Sequence, residues 1–468
     1  MGRYTAEQTK PGAEGVTIKI TRGLDLPISG QPPTSIEPAP AVASVALLGR
    51  DYVGLKPRML VRPGDPVVTG QPLFVDKRDP AVQFVAPGGG RVAAVNRGNR
   101  RRLLSVVIEL DGSDTAMPPV DSASGDPADL DADAVRDLLC RSGLWTALRA
   151  RPFGRVPPSD SRPRSIFVTA IDTHPLAADP AAIVAPHAAA FETGLAVLAR
   201  LTDGPVHLCT GPGWQGPTGD PGRVRHTEFS GPHPAGLPGT HIHFLDPVSV
   251  NRVVWHIGCQ DVIAFGRLFR DGVLDFSRIV ALGGPGFEQP VLLAARAGAS
   301  IDDLCAGRVR AVGGRHAPVR LVSGPVLSGR QARGAEAHLG RYHQQVAAIP
   351  EGEGHRWFGW LRLFSKGHSF SGLLRRHRPL TRGVQTTAAG GVPRTLLPAE
   401  AFEKVMPLDI LTVPLLRALL IRDTDQAQAL GCLELDAEDL ALCSYVCPGK
   451  MDYGSILRVN LAQIEREG

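Results

Sequence analysis

The sequence predicts a multi-domain α/β plus β chain: an all-β barrel module, a parallel α/β layer, a small β-grasp-like module and a C-terminal domain that is largely helical. Three observations predict it. The 468 residues exceed what one core usually supports, since domains run to roughly 100–200 residues. Short alternating strands between Gly/Pro turns fill Leu60 to Leu110, and strand-like and helix-like segments alternate from Asp133 onward. Hydrophobic residues at 43% and charged residues at 21% are globular values, which excludes a wholly disordered chain. The 53 glycines and 41 prolines follow no Gly-X-Y period, so turns rather than collagen account for them.

Residues 1–15 read as a flexible tail and 16–111 as the barrel region. Val16 to Ile20 alternates apolar and polar residues, a strand pattern. Pro32, Pro33, Pro38 and Pro40 then force a loop. From Val61 to Leu73 runs V-x-x-G-D-x-V-x-x-G-Q-x-L, and A-P-x-x-G-x-V follows from Ala86 to Val92. This spacing resembles the biotinyl/lipoyl barrel, with glycines at tight turns and valines in the core. Carriers of that class present a lysine on the hairpin between the halves. Lys77 lies in that region, although Arg78-Asp79-Pro80 follow it in a different register, and a lone exposed lysine is usually just solvated.

Residues 112–132, rich in Asp, Ser, Gly and Pro, read as a linker. A Rossmann-like α/β domain is expected over 133–258. Its helix Asp133 to Leu148 carries Val135, Leu138, Leu139 and Leu144 on one side; the strand Ser165 to Ala170, the helix Phe191 to Leu201 and the strand Pro205 to Cys209 follow. No G-x-G-x-x-G opens a helix there, so a dinucleotide site is unsupported. Gly211 to Gly222 is turn-rich and expected to be mobile. Strands at Arg278 to Pro285 and Arg320 to Gly329 bracket a helix near Ser300 to Ala306, a β-grasp-like order over 259–335. The C-terminal domain, 336–468, turns helical after 399: Pro414 opens a helix with Leu415, Leu416, Leu419 and Leu420 on its apolar face, Gly431 closes it, and a final helical segment runs from Asp436 to Val446.

No run of 18 apolar residues occurs, so no spanning helix is predicted, and the first residues lack a secretory signal, which places the chain in the cytoplasm. Seven cysteines without regular spacing suggest free thiols. The net charge is +5, carried mostly by arginine. Its clusters, Arg97 with Arg100 to Arg102 and Arg375, Arg376 and Arg378 with Arg382, read as solvated loops, and with no zinc-finger, RNP or helix-turn-helix pattern nucleic acid is not an expected partner.

Four constellations carry possible chemistry. His241 and His243, read as H-x-H on a strand, would point to one side and could share a metal with His233 or Asp246, with His256 nearby. The alternative is that they cap turns and anchor the Pro-rich loop; without a Glu or Cys at suitable spacing that reading is preferred, and no metal is predicted. Cys432, Cys443 and Cys447 are too few and wrongly spaced for a four-iron cluster and read as packed thiols. No G-x-S-x-G elbow supports serine catalysis, and no catalytic residue is assigned. Trp145, Arg151 and Phe153 place aromatics beside guanidiniums, a combination that could hold a quinone ring with its carbonyls hydrogen-bonded; the alternative is a helix end packed on the linker.

Unusual strings then point to a family. Ile20 to Gly30 (ITRGLDLPISG), Asp51 to Gly54, Ser142 to Ala147 (SGLWTA), Gly231 to Val248, Trp255 to Gly258, Leu339 to His343 (LGRYH), Val405 to Ile410, Ala429 to Leu435 and Tyr445 to Lys450 follow one another in order. Together, from Val16 to the last residue, they resemble the A subunit of the Na+-translocating NADH:quinone oxidoreductase (Na+-NQR). About fifteen extra residues precede the family's start, and Gly211 to Val224 is atypical. The resemblance implies a peripheral subunit on the cytoplasmic side of a bacterial inner membrane. It would belong to a six-subunit enzyme that passes electrons from NADH to ubiquinone and exports Na+. It also implies that flavins, iron–sulfur centre and sodium path belong to other subunits, that barrel, Rossmann-like, β-grasp (SLBB-like) and helical parts are shared with relatives in complex I and Rnf complexes, and that this subunit contributes quinone binding and docking beside its partners and the membrane surface. Two readings from other classes stand beside it: an independent flavoenzyme on the Rossmann-like domain, and a biotin or lipoyl carrier using Lys77.

Overall fold

In the computed structural model, which describes residues 7–8, 16–112, 131–310, 318–352, 386–387 and 399–467, the alternating segment at Val16 forms a strand, Val16–Lys19, that does not join the barrel. It pairs in parallel with Val224–Ser230, and Ile18 and Ile20 bury themselves with Phe167, Phe229, Ile242 and Val254. The tail over 1–15, apart from Glu7–Gln8, most of the linker 112–132 and the cluster from Arg375 to Arg382 lie outside the described residues.

The α/β sheet runs Glu7–Gln8, Val16–Lys19, Val224–Ser230, Val206–Thr210, Ile166–Ala170, Val254–Gly258, Arg149–Arg151. The five inner strands are parallel and the outer two antiparallel. Strands buried on both faces need continuous apolar runs, and Ile166–Ala170 and Val206–Thr210 supply them. Val224–Ser230, with polar residues between Val224, Thr227 and Phe229, escapes a reading by pattern. The first predicted helix is shorter than expected, Ala132–Arg141: Gly143 takes φ 76°, a 3-10 turn Leu144–Ala147 follows, and the chain then enters the edge strand Arg149–Arg151.

Helices Ala188–Arg200 and Cys259–Asp271 pack against each other at glycines. A Cβ on Gly194 would stand 2.1 Å from the Val262 carbonyl oxygen, and one on Gly266 would stand 1.7 Å from that of Ala190. Because Cys259–Asp271 is part of this layer, the layer extends past Gly258, where the sequence reading ends it. The helical run 180–200 is long and apolar enough by composition to cross a bilayer. Here it is Pro180–Val184, a 3-10 turn Ala185–His187 and Ala188–Arg200, with Phe191, Leu195, Val197 and Leu198 in the core.

The barrel region comprises the sheet Ser44–Leu48, Leu103–Leu110, Gly90–Arg97, Pro66–Val67 and the sheet Pro57–Met59, Pro72–Asp76, Gln83–Val85. The valines of the spacing motif, Val61, Val67 and Val92, are core residues. Gly90, at φ 151°, is required: a Cβ there would meet the Glu109 carbonyl oxygen at 2.0 Å.

A six-stranded sheet forms the next module: Arg330–Gln331, Val319–Ser323, Gln345–Pro350, Ser277–Gly283, Val291–Arg296, Ile36–Pro38. Helix Ile301–Cys305 covers a core of Val280, Leu282, Phe287, Leu293 and Val346. Two strands come from outside the expected 259–335, one from before the barrel and one past residue 335.

In the C-terminal domain the helix around Pro414 spans Thr412–Ile421 and ends at Arg422 (φ 59°), not at Gly431. Gly431 (φ 90°) follows a second helix, Thr424–Ala429. Leu420 is partly exposed, whereas Leu415, Leu416 and Leu419 are buried. The segment expected from Asp436 to Val446 splits into a 3-10 turn Ala437–Leu440, capped by Asp436, and the helix Ala441–Val446; Tyr453–Glu467 completes the domain.

Candidate functional site

Strand Arg149–Arg151 turns back through Pro152 to Gly154, where the Ala150 amide donates to the Arg155 carbonyl at 2.6 Å and the Gly154 amide to the Ala150 carbonyl at 2.7 Å. Its register sets Arg149 opposite His256 and Ala150 opposite Trp255. Alternation therefore sends Arg149 and Arg151 to the face of His256. Behind the strand, Trp145 lies edge-on to Trp255 with centroids 5.3 Å apart, and its indole N–H donates to the Pro157 carbonyl at 2.8 Å. Trp145 and Arg151 are fully buried; Phe153 is partly buried against the C-terminal core.

The guanidiniums meet the acidic turn that opens Ala437–Leu440. Arg149 donates to Asp436 at 2.8 Å and lies over the Tyr342 ring, whose hydroxyl donates to the Thr146 carbonyl at 2.9 Å. Arg151 stands 3.4 Å from Asp439, 3.5 Å from Glu438 and 3.9 Å from Asp436, and Arg458 pairs with Asp436 at 2.6 Å. Arg155 pairs with Glu465 and packs its guanidinium on Gly54 of the barrel region. One hairpin thus lies where barrel, α/β layer and C-terminal domain meet.

Burial by itself raises the Asp436 carboxyl, but Arg151, Arg458 and Arg149 outweigh it and hold it well below the usual range. Burial, reinforced by Glu438, raises Asp439 against the pull of Arg151. Among the described residues, Arg151 Nε and Nη2, Glu438 Oε1, Asp439 Oδ1, Arg458 Nη1 and His256 Nε2 are buried without a hydrogen-bond partner. Next to the hairpin, Tyr52, Phe84, Leu144, Thr146 and Arg341 line a cavity of about 40 Å³, room for about one water. A larger cleft of about 460 Å³ opens elsewhere, between Val42, Thr69, Phe276 and Arg296.

The histidines are not arranged as the sequence reading has them. His241 and His243 lie on a helix, Pro238–Leu245, not a strand, and two residues of helix turn the rings roughly 200° apart. His241 donates from Nε2 to the Ala235 carbonyl at 3.0 Å, and burial drives its pKa down to about 3. His243 bonds Glu434 through Nδ1 at 2.7 Å and accepts the Asp409 amide at Nε2. His233 lies 3.2 Å from the Thr173 hydroxyl and beside His174, while Asp246 accepts from Arg164 and Ser165. No group of three or more His, Cys, Asp or Glu among the described residues is placed to hold a metal ion. Cys432, Cys443 and Cys447 are buried thiols in the C-terminal core, those of Cys432 and Cys443 pushed up to about 12 by burial. Lys77 is exposed just after strand Pro72–Asp76, its amide donating to the Lys56 carbonyl at 2.9 Å.

The partners that sequence reasoning missed are Asp436, Glu438, Asp439, Arg458 and Tyr342. The only local sign was the Asp436-Ala-Glu-Asp439 capping box.

Comparison with known proteins decides the family. Family models match over 18–111 (NqrA N-terminal barrel-sandwich hybrid domain), 130–274 (NqrA second alpha/beta domain) and 279–334 (NQRA C-terminal domain). The A subunit of the Na(+)-translocating NADH-quinone reductase of Yersinia pseudotuberculosis is 51% identical over 96% of this chain and 100% of its own length. The corresponding proteins of Serratia proteamaculans and Pseudomonas aeruginosa are each 52% identical, with the same coverage. The chain belongs to the NqrA family. In this NqrA chain the second-domain match runs through Cys259–Asp271, as the packing of that helix requires, whereas Gln345–Pro350 lies beyond the last matched residue. A chain of an NAD+-reducing [NiFe]-hydrogenase is also found, at 14% identity and a TM-score of 0.32 over 48% of this chain and 50% of its own.

Proposed function

We propose that this chain is a peripheral subunit on the cytoplasmic face of a bacterial inner membrane, in a six-subunit respiratory complex that oxidises NADH, reduces ubiquinone to ubiquinol and exports Na+. Its own share is quinone binding and docking. The observation that carries the reading is identity above 50% along nearly the whole chain to proteins named as the A subunit of a Na+-translocating NADH-quinone reductase. NADH, the flavins, the iron–sulfur centre and the Na+ path go to the partner subunits. The modules are then a biotinyl/lipoyl-like barrel, a Rossmann-like layer and a β-grasp module.

Quinone contact falls on Trp145, Arg151 and Phe153. A quinone ring needs apolar walls and a donor for its carbonyl. The hairpin supplies Phe153 as its partly exposed apolar group and Arg151 as the buried donor behind it. Because Arg151 and Trp145 have no exposed surface, quinone reaches Arg151 past Phe153, the partly exposed side chain of the hairpin, with the Arg149–Asp436 contact kept. The test is to tag the chain, solubilise native membranes gently, and assay what co-purifies. Five partners with Na+-stimulated NADH:quinone turnover are expected; a lone soluble protein would refute the reading. In the assembled complex, Arg151→Ala and Phe153→Ala should raise the quinone KM, and unchanged quinone dependence in both would move the site elsewhere.

A further inference from the structure

The hairpin from Arg149 to Arg155 is fastened from several sides, and one carboxylate, Asp436, meets it at Arg149, Arg151 and Gly154. Asp436 is 1% exposed. It accepts from Arg149, pairs with Arg458 and accepts the Ala437 amide at 2.6 Å. Gly154, at φ 65° in the hairpin's turn, lies so close that a Cβ there would stand 2.9 Å from Asp436 Oδ2 and 2.9 Å from Arg458 Nη1. Arg151, by contrast, makes one long hydrogen bond, from Nη1 to Asp439 at 3.4 Å, and none to Asp436, which lies 3.9 Å from its Nε, beyond hydrogen-bond reach. Its Nε and Nη2 keep no hydrogen-bond partner. Buried donors left in that state are costly, and a carbonyl oxygen arriving from a ligand would satisfy one of them.

We propose that Asp436 is a positioning residue for the quinone reaction: anchored by Arg149 and Arg458, it sets the height of the hairpin and keeps the Arg151 guanidinium aligned with two donors unspent. This rests on the hairpin reading given above. The carboxylate and Arg458 belong to the C-terminal domain and Arg149 to the α/β edge strand, so the Arg149–Asp436 contact couples the docking of that domain to the shape of the quinone site. Asp436 does not touch quinone itself.

The assembled complex carrying Asp436→Asn tests this, since the amide keeps the size but drops the charge. The quinone KM should rise about tenfold while kcat and the KM for NADH stay within twofold, and Asp436→Glu should recover part of the loss. Arg458→Gln, which removes one anchor at the rim, should move the quinone KM the same way by a smaller factor and serves if Asp436→Asn fails to assemble. If either variant lowers only the amount of complex, with the quinone KM per complex unchanged, Asp436 is structural and the proposal falls. If Phe153→Ala raises the quinone KM and both Asp436→Asn and Arg458→Gln leave it alone, this proposal falls and the hairpin reading stands; if Phe153→Ala and Arg151→Ala also leave it alone, both fall.

Discussion

A buried imidazole stays neutral in the fold but takes a proton once the chain unfolds, which ties this protein's stability to pH. Burial lowers His207 to about 4 and His241 to about 3, and pushes His233 and His256 down as well. For a base whose pKa is depressed on folding, the stabilising contribution is present above the unfolded value near 6.5 and is lost as pH falls toward the folded value. Between pH 7 and pH 5 each of His207 and His241 should cost the α/β layer about 2 kcal/mol. His174 opposes this: burial lowers it, but the Asp172 carboxylate at 2.7 Å outweighs burial and raises it, so its contribution is present below 6.5 and lost as pH rises. Urea unfolding followed through the buried Trp145 and Trp255 should therefore show a lower midpoint at pH 5 than at pH 7; an equal midpoint would mean the depressed histidines do not dominate. At this scale the sequence was only half legible. The arginines beside Trp145 stood out, but Arg149 and Asp436 are 287 positions apart, and an ion pair at that separation leaves no local period to read. His241 and His243 misled because Gly239, Thr240 and Ile242 are poor helix formers. Pro238 at the first turn was the one local sign of a helix, and the Asp439 carboxylate packs there against Gly239.

Elements were legible where apolar period and turn residues agreed, as in Ile166–Ala170, Val206–Thr210, Ala188–Arg200 and the barrel spacing from Val61 to Val92. They were missed or misplaced where tertiary contacts overrode local signals, as at Val224–Ser230 and at Gly143, which stops a helix whose apolar pattern runs on to Leu144. The crossing of Ala188–Arg200 with Cys259–Asp271 gives this scale its prediction. A glycine inside a helix costs about 1 kcal/mol relative to alanine, so Gly266→Ala would stabilise an isolated helix. Here the added methyl would meet the Ala190 backbone oxygen at 1.7 Å, and neither backbone can yield without separating the two helices. Gly266→Ala should therefore destabilise by about 2 kcal/mol net, the overpacking cost exceeding the gain in propensity. Thermal unfolding checks the sign, and a raised Tm would show that the helices are not held as closely as described.

At the scale of the whole molecule the modules are interleaved rather than strung in order, which no boundary drawn on the sequence captured. Before it reaches the barrel region, the chain lends Val16–Lys19 to the α/β sheet and Ile36–Pro38 to the six-stranded sheet. Gly23 donates to Lys404 of the C-terminal domain, and Asp25 accepts the His233 amide, along the same stretch. One segment of about 25 residues thus fastens three units whose cores form elsewhere, an arrangement without a sequence signature because each strand looks local and its partner lies more than 200 residues on. Removing residues 1–39 would spare the strands of the barrel region, which begin at Ser44. It would unpair one edge of Val224–Ser230 and of Val291–Arg296, and unpaired edges invite association with other chains. The truncated chain should lose the cooperativity of its thermal transition and aggregate, while the same truncation with the segment 13–39 added back as a peptide should recover part of the soluble fraction. Size-exclusion chromatography with thermal scanning decides it. A monomeric truncated chain that melts as the full chain does would mean the N-terminal segment merely lies on the modules and does not join them.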